Sequence, residues 1–280
     1  MADGFLQHGG HWGFPGIKWW YLSLTATFAQ GWTPETINSV VPGGWAIAVE
    51  APFYLVMPLL LTRLKSLKSS LAFLVGSAIL GWGLSRVALV LWTPHYSPQQ
   101  HDLVRVFVGE WFFSQLPVFA VGIVVYHLFK RTQGARDRAW GAILLSGSFF
   151  LFGAFLQCST FKYVLPSHVL YAAAFGVFAV ALHFWPTRVL VNPVTCGIGK
   201  LSYSMYLTHF GAITILSMVF PRGLIPQGDS GFILAFVLVG VLSAGISVVS
   251  YRLIERPGIR LGRRLIENLE QRARTAVSGS

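Results

Sequence analysis

Residues 232–254 read FILAFVLVGVLSAGISVVSYRLI, and the first charge in the run is Arg252. About 20 helical residues cross the roughly 30 Å of hydrocarbon in a bilayer. No water is present there to satisfy a free N–H or C=O, so such a run must pair its backbone internally as a helix. A β-barrel strand would alternate apolar and polar residues, and this run does not.

Working outward from it, the same reading gives six more spans: Trp45–Thr62, Leu71–Trp92, Trp111–Phe129, Ala139–Gln157, Ser167–Trp185 and Leu201–Phe220. The expected fold class is all-α, a polytopic membrane helix bundle with about seven transmembrane helices. Ile17–Trp32 is shorter and more polar, and reads as interfacial, as part of an extracytoplasmic loop or as the remnant of another span. The expected organisation is an extracytoplasmic or interfacial segment at 1–44, a transmembrane domain at 45–255 and a basic cytoplasmic tail at 256–280. In that tail Leu261, Leu265 and Leu269 repeat every four residues among arginines, the pattern of an amphipathic helix lying on a leaflet. Pro257 is expected to stop the helix before it. Internal repeats are not evident.

The composition agrees. Of 280 residues, 54% are hydrophobic and only 11% charged, with mean hydropathy +0.60; soluble domains carry about 25% charged residues. The net charge of +11 does not point to nucleic acid, because no soluble module carries a basic-aromatic stripe. The basic residues fall instead where the positive-inside rule places them. Of the 21 Lys and Arg, 16 lie in the loops after the first, third and fifth spans and in the tail. This predicts an inner (plasma) membrane protein with an extracytoplasmic N-terminus and a cytoplasmic C-terminus. Cys158 and Cys196 then face opposite sides and should not pair, and no His/Cys spacing suggests a metal. Met1–Gly16 does not read as a secretory signal.

Ionisable residues inside spans are costly and tend to face a cavity or a partner. Glu50 lies five residues past Trp45, about 7–8 Å from the outer end of its span at 1.5 Å per residue. Pro52 and Pro58 should kink that helix. Arg86 sits toward the outer end of the second span, where snorkelling or pairing with Glu50 would accommodate it. His209 lies about 12 Å into its span, and its unperturbed pKa near 6.5 suits proton transfer at neutral pH. Ser202, Tyr206 and His209 fall at i, i+4 and i+7, a polar stripe expected to face the bundle interior. Glu255 stands between Arg252 and Arg256 and reads as a structural ion pair with Arg252. Gly122 is expected to permit close helix approach, and His127 and His183 to lie at the interface.

Three stretches share a further pattern: WAIAVEAPFY at 45–54, GKLSYSMYLTH at 199–209 and YRLIERP at 251–257, with a weaker F-x-x-G-x-x-x-Y at 119–126. In order and spacing they resemble the motifs of the integral-membrane acyltransferases of type 3, which O-acylate cell-surface sugars. The resemblance implies an acyl donor such as acyl-CoA, taken from the cytoplasm, and a carbohydrate acceptor. It also implies a catalytic Glu50 and His209, with Trp45, Tyr54, Arg86, Ser202, Tyr203 and Tyr206 against the substrates, no permanently bound cofactor, and lipid around the bundle. Glu50 would position the sugar or orient a histidine, while Tyr206 and His209 would line the passage from the cytoplasmic side. Ala46, Ala51 and Pro52 depart from the family pattern. Nothing in Met1–Gly44 matches the family's first span with its Arg or Lys and His, so the chain looks like the last seven of ten spans. A shortened or inactive form therefore stays open. So do a proton-coupled transporter, with Glu50, Arg86 and His209 as a relay, and a non-catalytic membrane partner.

Overall fold

The computed structural model describes residues 17–157, 165–220 and 228–278, apart from the side chains of 272–278. All regular structure among the described residues is helical. The elements are α1 (Trp19–Ala26), α2 (Trp45–Arg63), α3 (Leu67–Trp92), α4 (His101–Glu110), α5 (Phe112–Arg131), α6 (Arg138–Gln157), α7 (Ser167–Phe184), α8 (Pro193–Val219), α9 (Asp229–Ser250) and α10 (Arg256–Ser278). Long helices thus stand at all seven expected positions. Among the described residues six stretches are long and apolar enough to cross a membrane, and α8 is not one of them. Its polar run, Lys200 to His209, lowers its apolarity. Large apolar side chains such as Leu55, Ile79, Phe150 and Val241 lie exposed along the helices, as a lipid-facing surface requires.

The chain divides into two compact units, Met1–Arg188 and Val189–Ser280. In the first, α3 packs along α5, α5 along α7, and α6 along α7. Gly81 explains the first of these contacts. A Cβ there would stand 2.5 Å from the Phe113 carbonyl oxygen, so only a bare Cα lets α3 approach the start of α5. Gly122 has open space around its Cα, and the expectation of close approach there is corrected: the packed faces of α5 carry Val121 and Ile123 instead. Phe53 of α2 stacks on Phe119 of α5 with centroids 3.9 Å apart, so two motif aromatics are core residues joining these helices.

Segment 17–44 is built into this unit. Ile37 packs in one core cluster with Ala88 of α3 and Val104, Phe107 and Val108 of α4, and Trp45 and Trp92 close over it. Helix α4 is amphipathic, which a search for apolar runs passes over: Leu103, Val104, Phe107 and Val108 are buried, while Arg105 is exposed. At the other end of the unit His127 Nε2–H donates to the Leu64 carbonyl at 2.8 Å, and His183 Nε2–H to that of Thr132 at 3.0 Å. Both histidines thus close helix ends, where interfacial positions were expected.

In the second unit α8 packs along α9. Helix α8 starts eight residues before the predicted span because Asn192 caps it: Oδ1 accepts from Val194 and Thr195 N–H, both at 3.0 Å. The helix also does not stop at Pro257. A π-helical turn, Tyr251–Glu255, links α9 to α10. The carbonyl with which Pro257 would clash belongs to Leu253, inside that wider turn, so the turn absorbs the proline. Cys196 is an exposed free thiol; Cys158 lies outside the described residues.

Candidate active site

Glu50 emerges from α2 half-buried, one turn before Tyr54 on the same face of the helix. Tyr54 is well exposed. Pro52 and Pro58 lie inside this helix and withhold the donors that the Ala48 and Tyr54 carbonyls would use. The helix therefore carries a carboxylate and two under-used carbonyls within about three turns. Such polarity is sustained at membrane depth only beside water, protein or a polar ligand. Trp45, at the start of α2, is half-buried against the Ile37–Phe107 core.

Arg86 does not meet Glu50: its guanidinium lies over the Trp82 ring, 5.5 Å from the centroid. The ion pair present among the described residues is Arg105–Asp102, at 3.1 Å on the surface of α4. A cavity of about 350 Å³ opens beside Trp82 and Arg86, bordered by Arg105, Ser114 and His168. His168 is fixed there by its Nε2–H, which donates to the Ser114 carbonyl at 2.9 Å. The cavity joins residues from α3, α4, α5 and α7, and offers cations, hydroxyls and an indole face, groups suited to a polar ligand.

In the second unit His209 is half-buried on α8, with Nδ1–H donating to the Tyr206 carbonyl at 2.5 Å and its ring 4.0 Å from that of Phe210. Nε2 is then the nitrogen left to accept a proton. Tyr206 is half-buried, Tyr203 exposed, and exposed Ser202 donates to the Gly199 carbonyl at 2.9 Å. The face of α8 that packs on α9 is the neighbouring one. Thr208 Oγ1 lies 3.1 Å from Ser243 Oγ and 3.0 Å from Ser247 Oγ, and Ser243 donates to the Met205 carbonyl at 3.2 Å. Glu255 accepts from buried Ser204 Oγ at 2.7 Å. Arg252 is exposed on the π turn, and among the described residues no ion pair joins it to Glu255.

Several polar residues were not singled out from sequence. Ser204–Thr208 and Ser243–Ser247 are i, i+4 pairs on two apolar helices, a signal available in the sequence and outweighed by the more conspicuous tyrosines and histidine. Others needed the fold. Tyr96 donates to Glu35, and Asn38 Nδ2 to Glu110 Oε2 at 2.5 Å, so segment 17–44 is tied to the turn after α3 and to α4 by contacts across 61 and 72 residues. Burial first, and then the Glu35 carboxylate, raises the Tyr96 hydroxyl well above the ordinary tyrosine value.

The family model described as an acyltransferase domain matches residues 4–252. A Staphylococcus aureus (strain COL) protein provisionally named an O-acetyltransferase is 24% identical over 252 residues, covering 86% of this chain and 39% of its own length. O-acetyltransferase OatA of S. aureus (strain NCTC 8325) is 22% identical over 257 residues, again 86% and 39%. The chain therefore spans about two fifths of the length of these relatives. No solved structure matches it.

Proposed function

This chain belongs to the acyltransferase domain family, and from that premise we propose that it moves an acyl group, acetyl foremost, from a cytoplasmic thioester such as acyl-CoA to a hydroxyl of a cell-envelope carbohydrate. The site is the plasma membrane. The acceptor oxygen attacks the thioester carbonyl, the C–O bond forms, the C–S bond breaks, and the hydroxyl proton passes to a base as the thiolate leaves. The reaction needs that base and a donor to the developing oxyanion. Glu50 holds the acceptor hydroxyl, with Tyr54 one turn further along the same helix face. Nε2 of His209 is the proton acceptor on α8. Trp45, Arg86, Ser202, Tyr203 and Tyr206 contact the substrates.

The observation that carries this reading is Glu50 itself, a half-buried carboxylate in an apolar, proline-interrupted helix of a family-matched chain, not neutralised by a cation among the described residues. A carboxylate placed this way is costly unless water, a protein group or a ligand satisfies it, and the acyl-transfer reading supplies the ligand. The test is acetyl transfer from radiolabelled acetyl-CoA to envelope carbohydrate in membranes containing the full chain. Glu50→Gln keeps the shape and removes the charge. It should lower transfer about 100-fold or more, and His209→Ala should do likewise. Transfer unchanged in the Gln variant would sink the role of Glu50, and no transfer by the wild-type chain would sink the activity.

A further inference from the structure

A second cavity, of about 360 Å³, lies at the opposite end of α3, between the α2–α3 loop and the last turn of α5. Its lining includes Lys65, Lys68, His127, Lys130 and Arg131, and no carboxylate. The four Lys and Arg side chains are exposed. The next acid along the chain, Asp137, is occupied elsewhere: its Oδ1 accepts from the Ala139 and Trp140 N–H groups and caps α6. Four like charges around one hollow repel one another. They persist at low cost only if solvent or an anion screens them.

A basic cytoplasmic loop is ordinary in a polytopic protein. Nothing in that rule requires cations from the α2–α3 turn and from the end of α5 to converge on one hollow, or the hollow to be held open. Here it is held. The His127–Leu64 hydrogen bond, across 63 residues of sequence, pins the α2–α3 loop to α5. Ser66 and Ser69 form a reciprocal cap that fixes the turn carrying Lys65 and Lys68. The first turn of α3 opens on the same hollow and adds to its positive potential. The volume lies in the range of small-molecule sites.

We propose that this cavity binds the phosphate or pyrophosphate group of a ligand. Two sources share that chemistry, the nucleotide phosphates of an acyl-CoA donor and the headgroup of an anionic lipid. The nucleotide source rests on the acyl-transfer reading above, whereas the phosphate site does not.

The test uses the full chain in nanodiscs of neutral phosphatidylcholine, titrated calorimetrically with inorganic pyrophosphate and with adenosine 3′,5′-bisphosphate. Both should bind saturably, and more weakly as salt screens the cations. The quadruple variant Lys65→Gln, Lys68→Gln, Lys130→Gln, Arg131→Gln should weaken binding about tenfold or more. The double variants Lys65→Gln/Lys68→Gln and Lys130→Gln/Arg131→Gln should each give part of that loss, with unchanged circular dichroism. A nucleotide source predicts equal bisphosphate binding in discs with and without phosphatidylglycerol, and displacement by acetyl-CoA. A lipid source predicts that phosphatidylglycerol abolishes pyrophosphate binding and stays bound to the wild type, but not to the quadruple variant, in native mass spectrometry. Absence of saturable binding by both pyrophosphate and the bisphosphate, or binding that the quadruple variant leaves intact, overturns the proposal. Glu50→Gln should bind the bisphosphate as the wild type does. Binding without acetyl transfer would leave this site standing and remove the enzymatic reading alone.

Discussion

Tyr96 and Glu35 show how a single side chain couples a loop to the helices beneath it. Glu35 lies in the turns before α2 and Tyr96 just past α3, and the phenol donates to the carboxylate. Removing the donor with Tyr96→Phe should cost about 1–2 kcal/mol at neutral pH, visible as a lower melting temperature in detergent. The pH dependence has a definite sign. Folding raises the pKa of the Tyr96 hydroxyl above its ordinary value, about 10. The neutral phenol is thus favoured in the fold, and its contribution is complete below about pH 10. It is lost as pH climbs through the folded value, because the unfolded chain releases the proton first. Melting temperatures between pH 8 and 11 should fall at the alkaline end for the wild type and fall less for Tyr96→Phe. An equal alkaline slope in both would assign the loss to other groups.

Among the elements, the contact of α3 with α5 is the most demanding. The Phe113 carbonyl oxygen lies 2.5 Å from where a Cβ on Gly81 would stand, and that oxygen belongs to backbone, which cannot swing aside. Gly81→Ala should force the two helices apart and cost about 1–3 kcal/mol, while Gly76→Ala, on the same helix with nothing within 4 Å of its added methyl, should be neutral or slightly stabilising. Thermal unfolding of the two variants side by side distinguishes packing from helix propensity. Equal melting temperatures would mean that α3 and α5 are not held this closely. The sequence marked both glycines alike. Gly122, the one chosen from sequence, has free space, and nothing short of the positions of neighbouring backbones could rank them.

For the whole molecule the charge distribution sets the topology. With 16 of 21 cations assigned to one side, a fluorescent protein fused after Ser280 should fluoresce in the cytoplasm, and alkaline phosphatase fused after Gln100, past the end of α3, should be active outside. The reverse pattern would invert the orientation and carry the basic cavity at Lys65 and Lys130 away from any cytoplasmic nucleotide. The helical architecture itself was legible. Hydrocarbon leaves a chain no choice but to pair its backbone within each span, so apolar length alone gives the positions of six helices. The same reading also placed the seventh, α8, although its polar first half keeps it below the apolarity of the others.

The sequence by itself determined that this is a polytopic helical protein of the acyltransferase domain family, and that Glu50 and His209 stand within its long helices. Those properties depend on composition and order along the chain, which solvent reads locally. Tertiary structure decided which polar groups meet. It set Tyr96 against Glu35, Glu255 against Ser204 and Arg86 over Trp82, and it gathered Lys65, Lys68, Lys130 and Arg131 around one hollow. Helix periodicity fixes which residues share a face of one helix, but which partner faces it depends on how the helices pack, and packing is settled by the shapes of many side chains at once.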